Sequence, residues 1–376
     1  MFNKSDLGIA VVEDKQIYPF GKQSFFFEDM INACSSTEIS VFFFSPLNWS
    51  HEQVEISGFV FEKGKWKNSV QTLPDLIYDR SFSSNNTEKE HIEDFKKYSF
   101  ALGIKFLNPL PLANLLQDKV GFHKFIGNAN IPTLDYIPSK ILYQKEFYIN
   151  HIGDRYYIKP IFGSKGEGIF VIELLKNKII LFDNNGKSIV FHEIQNFIDS
   201  IGGLIDFDKY FVQEEANIIK FNNSPFDIRV IVQNYGDCYK VTGMGVRLGK
   251  ESSTTSNLNS GGSALPIEYL DNFYSEKYNK NIFEEKEKII NICLDATNIL
   301  REEYGDFVEI AYDILLTVNN GPVILEGNSK PSRWIFNLMA SYVKSKGLDD
   351  TYYKGLRTET VKVPIIYSHY LMETAK

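Results

Sequence analysis

The stretch "FVEIAYDILLTVNNGPVILEGNSKPSR", residues 307 to 333, restricts the possible folds of this chain more than any other. Val308, Ile310, Tyr312, Ile314 and Leu316 alternate with Glu309, Ala311 and Asp313, the two-residue period of a strand with one buried side. Asn319-Asn320-Gly321 then signals a tight turn back into "VILEGN". With Asn319 and Asn320 as the loop, Asp313 lies opposite Glu326; with Asn320 and Gly321, it lies opposite Asn328. Either register puts Asp313, Glu326 and Asn328 on one face. Two carboxylates that close repel each other, and a cation between them removes the conflict. Three hard oxygen donors suit Mg²⁺, which keeps waters and takes further ligands from substrate phosphates. A solvated acidic pair on an exposed hairpin face is the plainer alternative. Gly327 between two of the donors, with Lys330, Pro331 and Arg333 just after, favours a metal and phosphate site: glycine allows close backbone approach, and the basic side chains add positive charge.

A second stretch, "YYIKPIFGSKGEGIFVIE" (156 to 173), sets Lys159 on a strand ahead of Gly163, Gly166 and Gly168. The common phosphate loop places its lysine after the glycines and leads into a helix. Here a β-branched and aromatic run follows, so the pattern is strand, glycine-rich turn, strand. Such a hairpin flap can close backbone N–H groups over anionic oxygens, with Lys159 reaching in from the strand; an ordinary glycine-tipped hairpin has the same pattern.

The remaining chain supplies the context. Its 376 residues exceed one typical core and suggest two or three domains. A net charge of −8, with the basic residues dispersed, argues against a nucleic-acid surface. Cys34, Cys238 and Cys293 are far apart and form no CxxC, which fits a reducing compartment and excludes a disulfide framework or thiolate metal site. The six histidines form no HxxxH or HExxH pair, which argues against a zinc site, and each reads as a surface or core residue. No signal-peptide pattern and no membrane-length apolar run is present, so the expected location is the cytoplasm, with no membrane partner. Nothing sets an oligomeric state.

Along the first ~112 residues, "LGIAVV", "ISVFFFS" and "DLIYDR" read as buried parallel strands, with helices at "FFFEDMINACSS" and "EKEHIEDFKKYSFAL", an α/β layer. "LPLANLLQDKVGFHKFIGNANIP" reads as one helix stopped before Pro132. Residues 155 to 190 read mostly as strand, with a short helix near 193 to 201. Strands resume at 210 to 215, 226 to 234 and 239 to 249; residues 250 to 266 read as loop. A long helix follows, carrying Ile289, Ile290, Cys293, Leu294, Thr297 and Leu300.

Taken in order and spacing, "YIKPIFGSKGEG", "YFVQEEANI", "FDIRVIVQN", "TSNLNSGGSA" and "AYDILLTVNNGPVILEGNSKPSR" resemble the ATP-grasp superfamily, and most of all its YheC/YheD type. "YPFGKQSFFFEDMI" and "LPDLIYDRS" extend the resemblance over nearly the whole chain. It implies an α/β and α+β protein with the ATP-grasp fold: a Rossmann-like amino-terminal domain (1–112), a central lid subdomain with the glycine flap (113–210), and a carboxy-terminal subdomain with the Mg²⁺ site (211–376). Such proteins mostly join a carboxylate to an amine through an acyl phosphate, with ATP and Mg²⁺ as cofactors and small-molecule or peptide substrates as partners. Carried over residue by residue, the resemblance makes Lys119 and Lys159 phosphate-binding lysines, with Gly163, Ser164, Lys165, Gly166 and Gly168 as the flap. Gln213, Glu214, Glu215 and Ala216 fall at the adenine hinge, Asp227 at a ribose hydroxyl and Asn257 at a nucleotide contact. Asp313, Glu326 and Asn328 match the metal ligands.

Two departures matter. An arginine found in glutamate-adding relatives is Thr255 here, which shifts phosphate contacts toward Arg247, and the usual Gly-hydrophobic-Asp is Ala311-Tyr312-Asp313. No covalent nucleophile is expected: Lys159 and Mg²⁺ neutralise phosphate charge, and Arg229 and Arg247, on adjacent strands, either stabilise the transferred group or make structural ion pairs. Arg80, Gly261, Gly262, Lys330 and Arg333 are placed at the substrate, with a buried Asp79 or Asp75 ion pair as the alternative for Arg80. A small-molecule kinase and a non-catalytic coat-associated binder are the competing functions.

Overall fold

The computed structural model describes residues 4–14, 16–17, 19–21, 23–33, 39–83, 85–163, 167–183, 186–249 and 262–374. Short apolar runs near the amino terminus form the centre of a first sheet of order β4-β3-β2-β1-β5-β6. In it β1 (Leu7–Ala10), β2 (Val41–Phe44), β5 (Leu76–Asp79) and β6 (Lys105–Phe106) are parallel. The antiparallel hairpin of β3 (Glu55–Glu62) and β4 (Lys65–Thr72) extends its edge. That hairpin has little sequence signal: β4 is mostly exposed and polar. Helices α1 (Gln23–Ala33) and α2 (Asn86–Ala101) flank the sheet, α2 capped by the Asn85 side chain.

The stretch read as one helix is two, α3 (Leu110–Gln117) and α4 (Lys119–Asn128). Asp118 breaks it: its backbone is extended and its carboxylate accepts the Gly121 N–H at 2.9 Å, an N-cap that satisfies an otherwise orphaned donor. The break makes Lys119 the first residue of α4.

A second sheet, of order β11-β10-β9-β8-β12-β7, is antiparallel throughout. It contains β7 (Ile137–Pro138), β8 (Arg155–Pro160), β9 (Phe170–Leu175), β10 (Lys178–Phe182), β11 (Ser188–Phe191) and β12 (Tyr210–Glu214). Helices α5 (Lys145–Asn150) and α6 (Ile194–Gly202) contribute Phe147, Tyr148, Phe197 and Ile201 to the core over Tyr156, Ile158, Ile172 and Leu174.

The third sheet has β13 (Lys220–Phe221) and β14 (Ser224–Asn234), with β15 (Tyr239–Leu248), β16 (Ser263–Leu265), β17 (Glu309–Thr317) and β18 (Gly321–Asn328), the main path running β16-β15-β14-β17-β18. Strand β16 lies within the stretch read as loop, where three residues pair with β15. Helices α7 (Asp271–Tyr278) and α8 (Ile282–Tyr304), with α3 and α4, bury the face carrying Ile310, Tyr312 and Ile314. On the other face α9 (Trp334–Ser345) packs Ile335 and Phe336 over Ile231 and Ala311. Helix α10 (Thr351–Thr374) returns to the first sheet, where Val361 and Ile365 join Ile9, Phe27 and Phe43. No helix among the described residues is long and apolar enough to cross a membrane.

The β17–β18 hairpin departs from both expected loops. Thr317 pairs with Gly321 across a three-residue turn, and a bulge at Leu325 then restores Asp313 opposite Glu326 and Ala311 opposite Asn328. The strand has no solvated side either: Glu309, Ala311 and Asp313 are buried as fully as Ile310 and Tyr312. Gly327 is explained by packing on the opposite face, since a Cβ there would lie 2.6 Å from Leu116 Cδ2 and 3.0 Å from Phe122 Cζ. Gly327→Ala is therefore expected to cost about 1–3 kcal/mol through overpacking, read as a lower denaturant midpoint.

Candidate active site

Strands of the second and third sheets, with the start of α4, enclose a cavity of about 420 Å³. One wall carries cations. The Lys119 backbone N–H donates to Ile161 C=O at 3.1 Å and its Nζ to Gly163 C=O at 2.6 Å, which ties α4 to the glycine turn between β8 and β9. Lys159 Nζ donates to Gln213 Oε1 at 2.6 Å and lies 4.9 Å from the centre of the Tyr157 ring. Burial pushes the Lys159 ammonium down to about 8, with the nearby charge of Lys119 adding to the effect and Glu326 opposing it. Burial also lowers Lys119. Both lysines are poised to gain from an arriving anion. Gly163 and Gly168 hold φ of +143° and +71°, conformations that favour glycine.

The residues expected at the adenine hinge begin in the last part of β12 and continue past it. Gln213 is buried and donates to Asp135 C=O at 3.2 Å. Glu214, Glu215 and Ala216 continue along the cavity wall. Glu215 accepts contacts of 3.4 Å from both Arg155 and Tyr157.

The facing wall carries the carboxylates. Asp313 is fully buried; Arg229 chelates it through Nε and Nη2, the latter at 3.0 Å, and Arg247 Nη2 approaches at 2.7 Å. Arg247 also clamps Asp227, at 2.5 and 2.7 Å. Burial alone would raise the Asp313 carboxyl, but the two guanidinium groups hold it well below the usual range. Glu326 goes the other way: burial and the adjacent Asp313 push it up to about 7. The cation expected between the carboxylates thus has a partial substitute, since arginine satisfies Asp313 and leaves Glu326 favouring its proton.

Mg²⁺ is compatible with this donor set. Each carboxylate oxygen accepts more than one bond, so the arginine contacts leave lone pairs on Asp313. Among the described residues Glu326 forms no direct ion pair, Lys119 and Arg247 acting on it at longer range, and Asn328 lines the same wall with its Nδ2 buried and without a hydrogen-bond partner there. Among the described residues no group of three His, Cys, Asp or Glu side chains forms a metal cluster, so the amide of Asn328 is needed as the third donor.

Other sequence expectations are redistributed. Arg80 and Arg333 are absent from the cavity wall. Arg333 chelates the buried Glu309, with Nη1 at 3.1 Å, and Arg80 Nη1 stands 4.0 Å from the same carboxylate. The partner of Arg80 is therefore neither Asp79 nor Asp75. Glu309 also accepts from Tyr78 at 2.6 Å and Gln233 at 2.9 Å, so this network stitches the first sheet to the third. Lys330 does reach the cavity. Gly262 precedes β16 and is not on the cavity wall. Ser164, Lys165, Gly166, Asn257 and Gly261 lie outside the described residues.

His123, one of the histidines read as surface or core, is buried and also lines the cavity. Its Nδ1 lies 2.5 Å from Thr133 Oγ1, whose proton goes to Ile324 C=O at 2.9 Å. Nδ1 must therefore carry the hydrogen, and burial with Lys159 and Lys119 nearby pushes the ring down to about 4. The available signal was its place four residues after Lys119 on α4, the spacing that puts two side chains on one helix face.

Residues 103–371 match the model of the YheC/D-like ATP-grasp family. The endospore coat-associated protein YheD of Bacillus subtilis is 24% identical over 338 residues, covering 85% of this chain and 70% of that protein. Among solved structures, D-alanyl-alanine synthetase A of Vibrio cholerae superposes with a TM-score of 0.52 at 13% identity, over 97% of this chain and all 100% of the other. A RiPP-associated ATP-grasp ligase of Chryseobacterium gregarium, solved with ADP and a leader and core peptide, gives 0.51 at 11% identity over 97% and 96%. These likenesses establish the ATP-grasp fold, and with the match over most of its length the chain belongs to the YheC/D-like ATP-grasp family.

Proposed function

We propose that this protein is an ATP- and Mg²⁺-dependent ligase that joins a carboxylate to an amine through an acyl phosphate, with an amino acid or peptide as substrate. The observation that carries the reading is the convergence, on one cavity, of Lys119 and Lys159 from one side and Asp313, Glu326 and Asn328 from the other. The family and the two solved ligases support an ATP-dependent ligase in general, and the peptide in one of them supports the substrate class.

Bound Mg²⁺, held by Asp313, Glu326 and Asn328, would neutralise phosphate oxygens. Glu326 must give up its proton to serve as a ligand. Lys119 and Lys159 bind the polyphosphate, and Arg229 and Arg247 keep Asp313 ionised and fixed. The substrate carboxylate oxygen attacks the γ-phosphorus in line while the bond to ADP breaks. The amine nitrogen then attacks the acyl carbon, loses a proton, and phosphate departs with the bonding electron pair. The turn bearing Gly163 and Gly168 excludes water while the acyl phosphate exists.

Hydroxylamine tests the scheme because it intercepts an acyl phosphate as a hydroxamate. With ATP, Mg²⁺ and pooled amino acids and peptides, ADP and phosphate should form in equal amounts and hydroxamate should accumulate. A stable phosphorylated product without free phosphate would identify a kinase, and no ATP consumption with any pool would refute the ligase.

A further inference from the structure

The end of the cavity nearest the first sheet carries a buried cation that shares its one counter-charge with a second buried cation. Lys330 Nζ donates to Asp79 Oδ2 at 2.7 Å and to Ser81 C=O at 2.7 Å. An ammonium has three donors, so one is left for the cavity that Lys330 lines. Asp79 is not reserved for Lys330, since Lys96, also buried and paired with Glu93 at 2.7 Å, stands 3.3 Å from the same oxygen. Across the whole cluster Lys96, Lys330, Arg80 and Arg333 face Asp79, Glu309 and Glu93, and Glu93 is 45% solvent-exposed. A surplus positive charge is therefore held out of water, an arrangement that is costly unless an anion arrives.

Two further features point to a ligand here. Asn328, two residues before Lys330 and on the same cavity wall, has its Nδ2 buried with no acceptor; its amide oxygen can serve a metal while the nitrogen donates elsewhere. The Phe82 ring lies 5.2 Å from Lys330 Nζ and lines the cavity while remaining 54% exposed. The pair thus offers a cation and an open apolar surface side by side.

Building on the ligase reading above, we propose that Lys330 anchors a second carboxylate of the substrates, one that is not activated, with the adjoining apolar part lying on Phe82. This narrows the substrate class to acids or amines that carry a spectator carboxylate. It belongs either to the acceptor, as in a free amino acid or peptide, or to a dicarboxylic donor.

The test compares wild type with Lys330→Met in the ATP-consumption assay. In one arm hydroxylamine is the acceptor, and dicarboxylic amino acids and peptides are compared with their mono-carboxamides; only the donor can then use Lys330. In the other arm the acceptors are amino acids and peptides, compared with their C-terminal carboxamides. In at least one arm wild type should prefer the free acid by about 10-fold or more in kcat/KM, as expected where a site's polar groups would be left unpaired. Lys330→Met should remove that preference, with the larger part of the loss in KM. The arm that responds identifies whose carboxylate is held. Lys330→Arg keeps a cation on Asp79 while displacing the donor, and should shift the preference measurably even where the methionine variant fails to fold. No preference in wild type, or a preference that survives both substitutions, would overturn the proposal while leaving the ligase intact. A wild type that forms no hydroxamate and consumes no ATP overturns both.

Discussion

Glu326→Gln and Asp313→Ala should both abolish turnover, by about 10³-fold, and yet move stability in opposite directions. Glu326 has its carboxyl raised from 4.5 to about 7 by burial and by Asp313. Between those values the folded protein keeps a proton that the unfolded chain has lost. The favourable contribution is therefore complete below 4.5 and disappears as pH rises through 7; above that, ionised Glu326 is a cost. Glutamine removes the cost, so metal-free Glu326→Gln should be more stable than wild type at pH 8 by roughly 2 kcal/mol. Asp313 differs because it is fully buried and compensates Arg229 and Arg247. Its loss takes the carboxylate from the largely buried Arg229, whereas Arg247 retains Asp227, a defect of about 3–5 kcal/mol. Like-charge repulsion on the hairpin would suggest that either substitution relieves strain, but the arginines reverse the sign for Asp313. Denaturant unfolding of both variants without Mg²⁺ checks this: equal shifts, or a stabilised Asp313→Ala, would mean that the arginines are not held by Asp313.

Lys159→Met should weaken ADP or ATP binding by about 10- to 100-fold, the weight of a charge-assisted hydrogen bond in a desolvated site. The fold should survive. Burial lowers the Lys159 ammonium from 10.5 to about 8, so its charge is a cost to folding at neutral pH that fades between 8 and 10.5. Methionine removes that cost, partly offset by the lost bond to Gln213 Oε1 at 2.6 Å. In wild type, nucleotide affinity should fall as pH rises through about 8, because the free protein must then take up a proton to bind, and Lys159→Met should lack that part of the pH dependence. Calorimetry over this range measures both effects. Unchanged affinity in the variant would remove Lys159 from the phosphate site.

Local periodicity was enough for the elements that carry the chemistry. The β8–turn–β9 pattern placed Lys159 ahead of a glycine turn, and alternation in β17 with the Asn-Asn-Gly signal put Asp313, Glu326 and Asn328 on one face, while a three-residue turn and a bulge chose the pairing of Asp313 with Glu326. The elements missed were those without a strong local pattern: the exposed β3–β4 hairpin, the three-residue β16, and the break at Asp118, where a single side-chain cap outweighs continuous helical periodicity.

The roles of the charged side chains divide in the same way. From the sequence came the shared face of Asp313, Glu326 and Asn328 and the place of Lys159 before a glycine turn, because strand period and turn length act between neighbours in the chain; the ATP-grasp fold and the pairing of Lys119 with Lys159 came from the resemblance to a family. Only the tertiary structure decided what each charge does. Glu309 takes Arg333 and draws Arg80 toward it, Asp313 takes Arg229 and Arg247, and His123 is buried at the cavity wall. Lys330, alone of the basic residues expected after the hairpin, keeps a donor for the cavity. Those partners lie up to 251 residues apart in the chain, as in the Arg80 bond to Pro331, and the energy of a buried charge depends on which counter-charges the fold brings within a few ångströms of it.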